Sequence, residues 1–252
     1  MTKFKNPLLF ALSLLPIAIA AGISIGYYQL EIYSEEVIAE VIAELGSTDV
    51  LIVISLVQTV AYTLFCGFFG YILANKLGLW KPIGLECRAL VTTITVSVIG
   101  GALFSLDYWT FGSVIEGIKE ASIAGLSRNS VIASVLYGGV IEEIMMRLFF
   151  MSLTAFILWK IFAKRYDEDE IPNGIFVISN IIVGLLFAAG HLPATLSTFG
   201  ELSPLLLVRC FLLNGGFGLI FGRLYRKYGI IYAIISHALF HIVSKAILLI
   251  FI

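Results

Sequence analysis

Two adjacent glutamates and an arginine, Glu142, Glu143 and Arg147, interrupt a run that is otherwise apolar from about Val131 to Phe162. An ionisable side chain at membrane depth is costly unless it is paired or faces a wet cavity, so such groups mark function by default. On a helix Glu143 and Arg147 stand four apart on one face, with the acid N-terminal to the base, the better order for such a pair. Glu142 is turned by about 100° from its neighbour and has no local partner. One glutamate therefore carries its own counter-ion and the other is free for chemistry. All three histidines of the chain also lie in apolar surroundings. His191 closes Phe187-Ala188-Ala189-Gly190-His191. His237 and His241 are four apart on one helical face, and Lys245 continues that stripe. Taken singly, each histidine reads as a satisfied structural residue. Together with the glutamates and Arg147 they make a set able to surround one water-filled cavity.

A carboxylate in a low-dielectric site can serve as general base on water. A histidine on the far side of that water would hold it and share the proton, and further imidazole N–H groups could stabilise the oxyanion of a tetrahedral intermediate. These are the parts of a peptide hydrolase that has no serine or cysteine nucleophile. Ser130, Ser236, Cys66, Cys87 and Cys210 form no nucleophile–base arrangement by sequence. The minority alternative is zinc held by His191, His237 and His241, or by two histidines and a glutamate. His237-x-x-x-His241 lacks the glutamate of the HExxH motif, so the residues are read as holding no metal. Asn214, in Asn214-Gly215-Gly216-Phe217-Gly218, is either a polar packing contact or a cavity residue, while the glycines serve close helix packing.

The elements that position this set are transmembrane helices. The chain has 252 residues, 60% of them hydrophobic and only 13% charged, against about 25% charged in a soluble domain. That composition indicates an all-α, polytopic membrane helix bundle forming one integral-membrane domain over 1–252, with its motif-bearing core at about 130–244. Nothing resembles a basic patch with interleaved aromatics, so nucleic acid is excluded as a partner. The dispersed cysteines are neither a disulfide framework nor a zinc motif.

Apolar stretches fall at about 7–28, 50–74, 90–106, 130–164, 175–191, 204–225 and 229–252, giving seven spans. The fourth is long for one helix across a core of about 30 Å. It must tilt, protrude or divide, and division would make eight spans. Ala18-Ile19-Ala20 has the form of a signal-peptidase site, but a first span with the basic flank of Lys3 and Lys5 looks the same. Glu31, Glu35, Glu36, Glu40, Glu44 and Asp49 predict a short solvated helix after it, and the 107–129 loop an interfacial segment. With seven spans, Lys3, Lys5, Lys76, Lys81, Arg88, Lys160, Lys164, Arg165, Arg223, Arg226 and Lys227 gather at one end, against Lys119 and Arg128 at the other. This bias puts the N-terminus in the cytoplasm of a cell-membrane protein.

Glu142-Glu143-x-x-x-Arg147, Phe187-x-x-x-His191 and His237-x-x-x-His241, in that order on three apolar helices, resemble the CAAX prenyl endopeptidase and bacteriocin-processing (CPBP, or Abi) family. The resemblance runs from about Ser130 to Ser244, with the Asn214-Gly215-Gly216 helix where that family also has a small-residue span. It implies a glutamate-type intramembrane endopeptidase acting on a membrane-associated peptide or protein, prenylated or not. Glu142 with His191 would activate the water, His237 and His241 would stabilise the oxyanion, and Glu143 and Arg147 would shape and charge the cavity. Prenyl-protein members usually carry asparagine where His241 stands; histidine is also common there among prokaryotic members and keeps a hydrogen-bond donor. The resemblance argues for a metal-free water. It also implies a runner-up, a non-catalytic membrane regulator or scaffold, because some members act by binding partners. A transporter is a third reading, since intramembrane carboxylates and histidines also serve proton relays. Prenyl-protein members receive substrates from the cytosol, whereas seven spans put His191 near the outer surface and Glu142 roughly 18 Å from the outer end of its helix. Either substrates arrive from outside, or the span count is off by one.

Overall fold

The computed structural model describes residues 6–33, 35–82, 84 and 86–252. Lys3 and Lys5 lie outside the described residues. Asn6 caps a first short helix, α1 (Pro7–Ser13), by accepting the Leu8 amide at 2.9 Å. Pro16 then restarts the chain as α2 (Leu15–Ile32), where a proline in the first turn is tolerated because its missing N–H would be unpaired anyway. The expected first span is therefore two pieces, of which α2 is long enough to cross. The acidic stretch forms α3 (Glu35–Leu45), which buries nothing. Next come α4 (Thr48–Lys76) and α5 (Cys87–Ser105), the latter running on through two short 3-10 turns to Ser113. A small helix, α6 (Ile118–Ala124), occupies the loop read as interfacial.

The motif helix is α7 (Arg128–Phe162), a single unit of 35 residues. It is wound with wide i→i+5 turns over Ser134–Glu142 and again over Ile144–Met151. Wide turns take more residues per revolution than α turns and recur at functional sites. They shorten the advance along the axis, so the run crosses once instead of dividing, and the eight-span alternative falls. The fifth apolar stretch ends in a break and is followed at once by a second helix. α8 (Asn173–Gly190) stops at His191, and α9 (Leu192–Phe199) restarts immediately with Pro193 in its first turn. Last come α10 (Pro204–Tyr228) and α11 (Ile230–Phe251). Among the described residues seven helices are long and apolar enough to cross a membrane, and the protein is an integral membrane protein of the all-helical class.

Contacts between successive helix ends sort the residues into two ends of the bundle. Lys76 pairs with Glu168 at 3.4 Å and Arg226 bonds Asn173 at one end. At the other, Glu31 accepts from Ser127 and Asn129, and Arg209 forms a two-pronged ion pair with Asp107. The described basic residues divide between these ends as the charge count requires. The two halves also differ in packing. The large buried core, with Tyr71, Met151, Trp159, Phe176 and Tyr225, fills the half near the basic loops. A second, smaller cluster forms around Ala18, Ala21 and Ile141 near mid-depth, and Ile118, Leu206 and Cys210 are buried toward the opposite end.

Two glycines let α11 approach its neighbours. A Cβ on Gly101 of α5 would stand 2.7 Å from the Phe240 carbonyl oxygen and 2.8 Å from Val243 Cβ. One on Gly139 of α7 would stand 2.7 Å from Ala238 Cβ. No side chain larger than hydrogen fits either contact without displacing backbone, which is the close approach that small residues permit in membrane bundles.

Candidate active site

Glu143 is wholly buried, at 0% exposure, and Arg147 is at 1%. Glu143 Oε1 lies 3.0 Å from Arg147 Nη1 and 2.8 Å from His237 Nδ1. The contact to arginine is electrostatic rather than an aligned hydrogen bond, for Arg147 Nη1 and Glu143 Oε2 both lack a hydrogen-bond partner among the described residues. Arg147 Nη2 instead donates to the Gly218 carbonyl of α10 at 3.0 Å. Its guanidinium lies over the rings of Phe187, at 4.7 Å, and Phe221, at 5.6 Å. An arginine charge held by a carboxylate, a carbonyl and two aromatic faces is compensated despite its burial. The predicted i,i+4 pair is thus present, and it ties α7 to α8, α10 and α11.

The histidines of α11 extend this pair. His237 stacks on Phe221 at 4.4 Å and on His241 at 4.9 Å. Its Nε2 faces His241 Nε2 at 3.1 Å, so a single hydrogen lies between the two rings. With His237 Nδ1–H donating to Glu143, the tautomer that satisfies both contacts puts that hydrogen on His241. Gly138 of α7 makes room for the His241 ring, as a Cβ there would be 3.1 Å from Nε2.

Glu142 and His191 are placed differently. Their side chains are 18% and 33% exposed, and Glu142 Oε1 stands 4.0 Å from His191 Nε2. His191 Nδ1–H donates to the Phe187 carbonyl at 2.8 Å, one of the carbonyls left open at the end of α8. This fixes the ring and leaves Nε2 as a lone pair aimed at the carboxylate. Two acceptors at this separation do not bond each other. A water that sits about 2.8 Å from each could give one hydrogen to each.

The helices therefore bring Glu142, Glu143, Arg147, His191, His237 and His241 to one place. Asn214 does not bond to them; its amide donates to Cys210 Sγ on its own helix at 3.5 Å. Lys245, expected to continue the histidine stripe, reaches instead to the Gly125 carbonyl and to Ser130 Oγ, fastening α6 and α7 to α11. Among the described residues no three His, Cys, Asp or Glu side chains are arranged to hold a metal ion. Two participants were not singled out from sequence, the Gly218 carbonyl and Phe221. Phe187 was named in the Phe187-x-x-x-His191 pattern, though not as the ring under Arg147 or the carbonyl that holds His191.

Seven spans with carboxylates and imidazoles gathered at membrane depth define an integral membrane protein with a polar intramembrane site. Residues 126–243 match the family model described as type II CAAX prenyl endopeptidase Rce1-like. That segment, which contains every residue of the gathered cluster, is similar to the CAAX protease family of membrane peptidases. No curated protein and no solved structure matches the chain.

Proposed function

We propose that the protein is an intramembrane endopeptidase that hydrolyses a peptide bond of a membrane-associated protein or peptide with a water activated by Glu142 and His191. The observation that carries this reading is the pair of acceptors, Glu142 Oε1 and His191 Nε2, facing each other across 4.0 Å in the partly exposed part of the site. Water bound between them is polarised by both. Glu142 takes one proton as the oxygen attacks the carbonyl carbon, and later returns it to the leaving amine, so the proton balance closes. We read His237 and His241 as the oxyanion donors, with the His241 Nε2–H that points to His237 in the resting site turning to the developing oxyanion. Glu143 and Arg147 hold His237 in its tautomer and orientation. We read the water as metal-free, so a chelator is expected to leave the rate unchanged; loss of activity restored by zinc would install the histidine–zinc alternative. The charge bias supports a cytoplasmic N-terminus, and we read the membrane as the cell membrane.

The test compares new protein N-termini in cells expressing the natural protein or Glu142→Gln, which keeps size and hydrogen bonding but removes the base. Termini that appear only with the natural protein are expected. Their absence, in cells where deletion has a phenotype that Glu142→Gln rescues, would replace the peptidase by the regulator.

A further inference from the structure

The charge and packing asymmetries of the bundle coincide, and together they give the site a direction. His191 follows the 18 residues of α8, so it stands about 27 Å from the end bearing the basic loops. His241 is near mid-depth on α11, and Glu142 lies on the Arg128 side of Arg147. From Glu143 toward the basic end the structure is closed. The Arg147 guanidinium fills the space between Phe187 and Phe221, and beyond it Ser152 and Tyr225, both buried, are bonded at 3.0 Å. The large core with Met151 and Trp159 continues from there. Glu142 and His191, 18% and 33% exposed, are the members of the site on the other side of this seal. The partly exposed members of the site thus lie on the side of Arg147 away from the basic end.

We infer that the catalytic cavity opens at the end opposite the basic loops and that this end faces away from the cytoplasm. Basic residues within short loops mark the cytoplasmic side, and Lys76, Lys81, Arg88, Lys164, Arg165 and Arg226 stand at the closed end. The substrate class follows. It is a membrane-anchored apolar peptide whose scissile bond lies in the non-cytoplasmic leaflet or just outside it. A prenylated C-terminus presented from the cytosol would meet the sealed face. The substrate part of this inference rests on the peptidase reading; the direction of the opening does not.

Cysteine labelling with a membrane-impermeant maleimide tests it without requiring catalysis. Of the native thiols, Cys87 is exposed at the basic end, whereas Cys66 and Cys210 are buried. In intact cells Cys87 is expected to stay unlabelled and to react only in inverted vesicles. In a Cys87→Ser background, Ser113→Cys, and His191→Cys or Glu142→Cys within the cavity, are expected to react in intact cells. Labelling of Cys87 from outside would reverse the orientation. Labelling of the cavity cysteines only from the cytoplasmic side, or from neither side while Ser113→Cys reacts, would overturn the outward opening. Cleavage of a membrane-inserted apolar peptide by right-side-out but not inverted vesicles then identifies the substrate side. If the labelling pattern holds and neither preparation cleaves, the peptidase reading fails while the opening stands.

Discussion

Glu142 and Glu143 are neighbours in the chain and occupy opposite environments. Glu143 is sealed, bonded to His237 and held against Arg147, and it organises four helices. Glu142 touches solvent, makes no hydrogen bond among the described residues, and looks across 4.0 Å at an imidazole lone pair. The difference shows that charge at membrane depth has two uses. A compensated buried carboxylate fixes geometry, and on the proposed reading the uncompensated, partly exposed one is the base.

Substitutions can break that contrast, and the largest effect is expected at the open member. Glu142→Gln should lower cleavage by about 10²–10⁴-fold, the range for losing a general base, while the thermal midpoint of the detergent-solubilised protein stays put. A large fall in the midpoint would make Glu142 a structural residue after all. At the sealed member the pattern inverts. Arg147→Met leaves Glu143 buried and unpaired, which costs about 3–5 kcal/mol, and adding Glu143→Gln should recover much of it. Equal midpoints for Arg147→Met and the double variant would deny the pairing.

Smaller effects sharpen the outline of the sealed region. Gly139→Val drives a side chain into Ala238, and overpacking of this kind costs about 1–3 kcal/mol; a neutral result in a denaturant titration would mean that α7 and α11 are not in contact. Phe221→Leu removes the ring stacked on His237, a loss of about 0.5–1.5 kcal/mol beyond area, and should lower cleavage without abolishing it. Glu168→Gln, at the exposed pair with Lys76, should change stability by less than about 1 kcal/mol, giving a baseline for the rest.

The bundle was legible because lipid imposes a simple rule: residues that cross are apolar, and the few that are not must meet one another. That rule gave the seven spans, the Glu143–Arg147 pair and the gathering of the histidines. It could not give the winding of α7. Nothing in Ser134–Glu142 distinguishes a wide turn from an α turn, because the choice is made by the partners on α2 and α11 and not by local propensity. Pro16 before the body of α2 and Pro193 after His191 carried signals for the breaks, through the missing N–H, that the reading of apolar stretches passed over. The Arg209–Asp107 pair was hidden for another reason. Its members are about a hundred residues apart, and Asp107 looked like one more loop acid. Lys245 followed the histidine stripe by periodicity, but a long side chain is placed by what its end can reach, here Gly125 and Ser130.

The glycine contacts at Gly101 and Gly139 have a mechanical consequence. They clasp α11 from two sides, so that it can neither slide nor turn without forcing Val243 or Ala238 into a neighbouring backbone. His237 and His241 are thus the stator of the site. His191 stands at the break between α8 and α9, where two backbone angles suffice to swing it. Any play in the site therefore belongs to His191 and the arm that follows it.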